Sequence, residues 1–232
     1  MIEKVIIISA GFLPSFIWLL FYLRKDSHPE SNSMVLRIFF LGALSGVAAI
    51  FLERWLQDSW GILGFSVIAL PVFLTSGLVE EVVKLMGVKI GLWKTSEPDE
   101  PIDWVLFMII SALGFAALEN ILVLSNQVSI SSIEAIEVML WRFLSATFLH
   151  ALCSGAIGYF LVLSTCYNKK IYLWLGVLGV ACLHGFYNWS IIKIEGINKF
   201  LLPLAIIVAL WLFVSFGIKH LKKIKSICAI KK

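Results

Sequence analysis

Apolar stretches of about 20 residues recur along this chain, and that is the length an α-helix needs to cross a hydrocarbon layer. On that ruler about seven spans can be placed, near 5–23, 35–56, 62–92, 103–126, 141–165, 171–192 and 199–218. Inside lipid a segment must satisfy its own backbone hydrogen bonds, so the expected class is all-α, a polytopic membrane helix bundle. Composition agrees: 60% of the 232 residues are hydrophobic and 15% are charged, which a soluble domain of this size does not show. The expected organisation is one transmembrane domain over residues 1–218 and a basic cytoplasmic tail over 219–232. The lipid bilayer is the expected surrounding, and no nucleic-acid partner is expected.

The first span is too long for a signal peptide, lacks a small-residue cleavage site, and is followed by Arg24 and Lys25. Basic residues orient the rest. Lys4, Arg54, Arg142, Lys193 and Lys199 fall on one side, five in all, against thirteen on the other, six of them in the tail. The side richer in Lys and Arg faces the cytoplasm, so the expected topology is N-terminus outside and C-terminus inside. The third span is overlong and contains Pro71, which predicts a tilt, a kink or a run past the membrane surface. "GALSG" at 42–46 has the small-xxx-small spacing of a helix-packing face. Ser131 stands three residues before Glu134, a capping-box spacing compatible with a short interfacial helix or with a simple loop. Cys153, Cys166, Cys182 and Cys228 form no metal-site or redox spacing and read as packing residues.

Polar groups inside the spans carry the functional signal. They are Glu80, Glu81 and Lys84; Glu119 with Asn120; His150 with Ser154; and His184 with Asn188, with Arg142 at a boundary. A charged side chain at the bilayer centre costs roughly 2.5–3.5 kcal/mol on insertion scales, so these groups should face one another or a wet cavity. Lys84 is four residues from Glu80 and three from Glu81, so one ammonium reaches either carboxylate. Counted from the polar connectors, Glu119, His150 and His184 lie ~10–14 Å below the outer surface, a level that Glu80 also matches. An ion-pair knot between helices would explain the acidic pair alone, and Asn120 and Ser154 read as packing or hydrogen-bonding residues. Convergence of all four helices on one layer points to chemistry instead.

The chain has neither a G-x-S-x-G nor an H-E-x-x-H pattern, so a serine nucleophile and a zincin site are not indicated. A carboxylate that takes a proton from water, with imidazoles and an amide nearby, is a hydrolase constellation without a covalent nucleophile. A metal held by Glu, His and His is its close variant. The expectation is a site without metal or cofactor, with Lys84 as counter-ion.

"EEVVK" (80–84), "LGFAALEN" (113–120), "RFLSATFLHALCSGAIGYFL" (142–161) and "LHGFYNW" (183–189) resemble the PrsW family of bacterial intramembrane proteases. That family is related to the type II CAAX prenyl endopeptidases and to the CPBP membrane proteins. The likeness runs nearly end to end, including "ISAGFLPSFIWLLFYLRKD" at the start, "VLRIFFLG" in the second span and "EPID" before the fourth. Carried over by position, the resemblance implies Glu80 and Glu81 as the paired glutamates, Phe115, Glu119 and Asn120 as the F-x-x-x-E-N element, and His150 and His184 as the histidines. It implies a glutamate-activated water that attacks a peptide bond of a membrane-anchored protein, an anti-sigma factor, outside a bacterial cell membrane. Two positions depart from the pattern: Asn188 stands where an acid is frequent, and Trp104 where a glycine is frequent.

The resulting expectation is an intramembrane endopeptidase of glutamic type. Glu80 is the base, Glu81 its partner, and Glu119 a supporting acid. His150, His184 and Asn188 assist the water and the oxyanion, while Lys84, Asn120 and Phe115 support them. Two other classes compete. A proton-coupled transporter also needs buried Glu, His and Lys but calls for symmetric helix breaks, and only Pro71 and Pro203 are weak breakers. A non-enzymatic scaffold would tolerate loss of motif residues that are nearly intact here.

Overall fold

In a computed structural model the chain forms eight α-helices: α1 (Ile2–Leu23), α2 (Asn32–Ile62), α3 (Leu70–Gly91), α4 (Pro101–Ser125), α5 (Ser132–Leu144), α6 (Ala146–Cys166), α7 (Ile171–Lys193) and α8 (Asn198–Lys223). The structure describes residues 2–25, 29–66, 69–95, 97–126 and 131–223, and no strand occurs among them. His28 and the tail from residue 224 lie outside the described residues. Five helical runs among the described residues are long and apolar enough to cross a membrane: Asn32–Ile62, Pro101–Ser125, Ile133–Cys166, Ile171–Lys193 and Asn198–Lys223. α1 contributes the shorter apolar stretch Ile8–Leu23, and α3 carries Glu80, Glu81, Lys84 and Lys89 in an otherwise apolar sequence. The protein is a multi-pass membrane helix bundle.

α4 is the post around which the others stand, packed by α1, α2, α3, α6 and α8. Its sequence is apolar on every side, and nearly all of it is buried, with Phe107, Met108, Ile109, Ala112 and Leu113 shut off completely. Large apolar side chains on the outer faces, among them Phe40, Phe51, Leu178, Leu204 and Phe216, point away from the bundle, as a lipid-facing surface requires. Small residues set the crossings. A Cβ on Gly42 would run into the Ser111 carbonyl of α4, and one on Gly114 into the Phe39 carbonyl of α2, so the "GALSG" face packs as its spacing predicts. α3 and α7 meet in the same way. A Cβ on Gly77 would lie 2.6 Å from the Ala181 carbonyl oxygen, and one on Gly185 would strike the Phe73 carbonyl.

Three expected boundaries are corrected. α3 begins at Leu70 rather than near 62, and Pro71 sits in its first turn, where a missing N–H costs nothing; it neither kinks nor lengthens the helix. α2 runs on to Ile62, so the polar "ERWLQDSW" stretch is helix and not connector. The fifth span is not one helix. Ser131 and Glu134 form the capping box that starts α5, and the run breaks at Ser145 (φ −119°, ψ −92°) before α6 resumes. Trp18 of α1 braces that break, stacked 4.1 Å from Phe148 and donating from Nε1 to the Phe143 carbonyl at 2.9 Å. The cysteine expectation changes at one position: Cys166 is disulfide-bonded, whereas Cys153 and Cys182 are free.

Candidate active site

The polar residues of α3, α4, α6 and α7 meet in one layer inside the bundle. On α3 the i,i+3 and i,i+4 spacing does what it predicts: Lys84 Nζ donates to Glu81 Oε1 at 2.9 Å and to Glu80 Oε2 at 3.3 Å. Its third N–H reaches His150 Nδ1 of α6 at 2.8 Å, and its cation lies 4.2 Å from the Phe115 ring centre. The ammonium is therefore saturated by protein partners and wholly buried. Ser111 of α4 donates to the Lys84 carbonyl at 3.2 Å, which ties this turn of α3 to the central helix.

Glu81 is the most completely bound carboxylate. Oε1 takes Lys84 and the His184 Nδ1–H, the latter at 2.9 Å, and Oε2 takes the Ser154 hydroxyl at 2.8 Å. The Gly77–Gly185 contact is what brings α7 close enough for the His184 bond. Glu119 of α4 pairs with His150 Nε2 at 2.8 Å and with Arg142 Nη2 at 2.9 Å. Arg142 also donates from Nε to Asn120 Oδ1, and Asn120 donates to Thr147 Oγ1 at 3.1 Å. The break at Ser145 lets Arg142, just before it, reach α4 while His150, just after it, turns inward.

The partners assign both histidine tautomers. An ionised carboxylate only accepts and an ammonium only donates, so His150 carries its hydrogen on Nε2 and offers a lone pair at Nδ1. His184 carries its hydrogen on Nδ1, facing Glu81, and its Nε2 is buried without a hydrogen-bond partner among the described residues. The His184 Nε2 lone pair faces Glu80 Oε2 at 3.7 Å, and His150 Nδ1, whose lone pair accepts from Lys84, lies 3.6 Å from the same oxygen.

The structure thus brings together Glu80, Glu81, Lys84, Phe115, Glu119, Asn120, His150 and His184. Asn188, one turn beyond His184, is half-buried and makes no hydrogen bond among the described residues. Two expectations are revised. The resting imidazoles present acceptors to the reacting layer, so neither is a ready oxyanion donor. Ser154, read as packing, binds Glu81. One residue was missed: Glu53 of α2 lines a cavity of about 70 Å³ together with Glu80, Glu119, Gly46, Ala49, Phe115 and others. Placed at the start of a polar stretch, it read as part of a connector.

Glu80, His150 and His184 also form a metal-ligating set, their donor atoms all within 4.8 Å of one another. The distances from Glu80 Oε2 approach the ~3.3–3.5 Å edge of a tetrahedral zinc site, and Glu119 and Glu81 back the two rings as carboxylate–histidine partners do. In type and spacing the residues fit a divalent cation. Lys84 is the competing cation, since it already bonds to two of the three donors and has no exposed route of retreat.

The family described as "PrsW family intramembrane metalloprotease" matches residues 30–216. Protease PrsW of Geobacillus kaustophilus is 34% identical over 192 residues, covering 82% of this chain and 81% of that protein. Protease PrsW of Bacillus subtilis is 30% identical over 226 residues, covering 95% and 96%. No solved structure matches.

Proposed function

The chain belongs to the PrsW family of intramembrane proteases, and from that premise we propose that it hydrolyses a peptide bond of a membrane-anchored protein with a water activated by Glu80. The observation that carries the reading is the unpartnered His184 Nε2, 3.7 Å from Glu80 Oε2, with His150 Nδ1, held by Lys84, 3.6 Å from the same oxygen. A water placed there donates one hydrogen to Glu80 and the other to His184 Nε2, which aims its lone pair at a substrate carbonyl. As the oxygen–carbon bond forms, Glu80 takes the water proton. As the carbon–nitrogen bond breaks, Glu80 passes that proton to the leaving amine. Glu81 and Glu119 fix the two ring orientations through their hydrogen bonds. Lys84 balances the carboxylates. Asn188, the uncommitted amide one turn from His184, is placed to donate to the oxyanion.

A second reading has the donor set in its favour. A divalent cation taken up there would be held by Glu80, His150 and His184, and would polarise the water and the carbonyl as a Lewis acid. We favour the metal-free reading because the Lys84 ammonium already supplies the positive charge to the same atoms.

For the substrate we propose a single-span anti-sigma factor cut on the outer side of a bacterial cell membrane, with the N-terminus of the protease outside and its C-terminus in the cytoplasm. The family resemblance supports the substrate class, and the thirteen-to-five basic bias supports the orientation. The test is reconstitution of the purified protein in proteoliposomes with single-span anti-sigma factors, with the new termini mapped by mass spectrometry. One cut in the outer juxtamembrane segment is expected. Intact substrates, or cleavage only on the cytoplasmic side, would contradict the proposal.

A further inference from the structure

Glu53 sits about two-thirds of the way along α2, and it lines the same small cavity as Glu80 and Glu119. The three acids are not equivalent. Glu80 has Lys84 at 3.3 Å, and Glu119 has Arg142 at 2.9 Å. Glu53 has no ion pair or hydrogen bond among the described residues, and its Oε1 is shut off from solvent. No basic side chain lines the cavity. A carboxyl oxygen shut off from solvent without a partner is costly, so the arrangement is incomplete as it stands.

What completes it follows from where the cavity lies. Glu80, the proposed base, forms part of its wall, and His184 Nε2 approaches Glu80 from 3.7 Å as a buried, unpartnered acceptor. A group that fills the cavity is therefore beside the reacting bond. The remaining walls are apolar, among them Ala49, Ile50, Phe115 and Leu118, and suit a methylene stem. Its small volume suits a compact ammonium on a flexible stem better than a planar guanidinium. We infer that Glu53 is a specificity-determining residue of this protease, selecting substrates with a cationic side chain, lysine above arginine, at a fixed position beside the scissile bond.

The inference rests on the protease reading, and the experiment keeps the two apart. Full-length wild type, Glu53→Gln and Glu53→Lys are reconstituted with a library of single-span peptides randomised in the juxtamembrane segment, and cut sites are mapped by mass spectrometry. Wild type is expected to enrich lysine about tenfold at one position relative to the bond. Glu53→Gln removes the enrichment while cleavage continues, and Glu53→Lys moves the preference to Asp or Glu at that position. Detergent melting of Glu53→Gln at or above the wild-type temperature shows that the fold is kept. Cleavage by wild type without basic enrichment, or enrichment that survives in Glu53→Gln, overturns the inference and leaves the protease reading standing. A library left uncut by wild type contradicts both.

Discussion

His184 Nδ1 lies 2.9 Å from Glu81 Oε1, and this one bond decides which ring nitrogen of His184 faces Glu80. Glutamine at position 81 can keep the geometry, with its carbonyl toward Lys84 and His184 and its amide toward Ser154, but it removes the charge that binds Lys84. Glu81→Gln is therefore predicted to cost about 3 kcal/mol of stability, near the lower end for breaking a buried pair, because Glu80 still holds Lys84. Activity should fall less than in Glu80→Gln. Detergent melting and turnover of both variants check this crossed pattern.

Gly185 stands next to His184, at the point where α7 touches the backbone of α3. A methyl group there presses on the Phe73 carbonyl and pushes the helices apart. Gly185→Ala is predicted to destabilise by about 1–3 kcal/mol. Because the His184–Glu81 bond spans that contact, turnover should fall by about a hundredfold, the scale of an ångström-sized misplacement. Gly179→Ala, on the same helix with open space around it, should change neither and serves as the control.

Much of this site was legible in the sequence because it rests on helical arithmetic. Glu80, Glu81 and Lys84 are spaced to share one ammonium, and matched depths put Glu119, His150 and His184 in their layer. What was not legible depends on tertiary partners. Hydropathy runs smoothly through Ser145, with no Gly or Pro to mark the break that lets Arg142 and His150 serve Glu119 together. The Ser154 hydroxyl sits in a small-residue run where packing and hydrogen bonding read alike. The tautomers of His150 and His184 follow only from which neighbours they meet. Glu53 was hidden because α2 continues beyond its apolar stretch, and a polar helical end looks like a connector.

Lys84 is bound to both acidic neighbours and to His150, so its removal strands two carboxylates in the interior. Lys84→Met is predicted to lose about 3–5 kcal/mol and to be the least stable of the site variants. Lys84→Arg should not rescue it, because a planar guanidinium does not fit a compact three-way ammonium site. Melting curves of the three proteins in one detergent decide the order.

The position of the ammonium also predicts the response to chelators. Purified enzyme treated with a strong chelator and passed through desalting should keep its turnover, and bound metal measured on the same sample should be far below one ion per chain. Loss of activity that zinc restores, with one ion retained per chain through His150 and His184, would establish the metal-bound reading of the same residues.

Glu80 is the acid whose oxygen faces the free Nε2 of His184 and lines the cavity, which makes it the residue to test first. The most direct measurement is turnover of Glu80→Gln in proteoliposomes, set beside wild type and Glu81→Gln on one substrate, with melting temperatures from the same preparations. Glutamine keeps the shape and is cheaper to bury, so Glu80→Gln is predicted to melt within a few degrees of wild type. Its turnover is predicted to fall about a thousandfold, the scale of a lost general base. A well-folded Glu80→Gln that cleaves at the wild-type rate would show the acidic pair to be a structural ion knot and would contradict the mechanism.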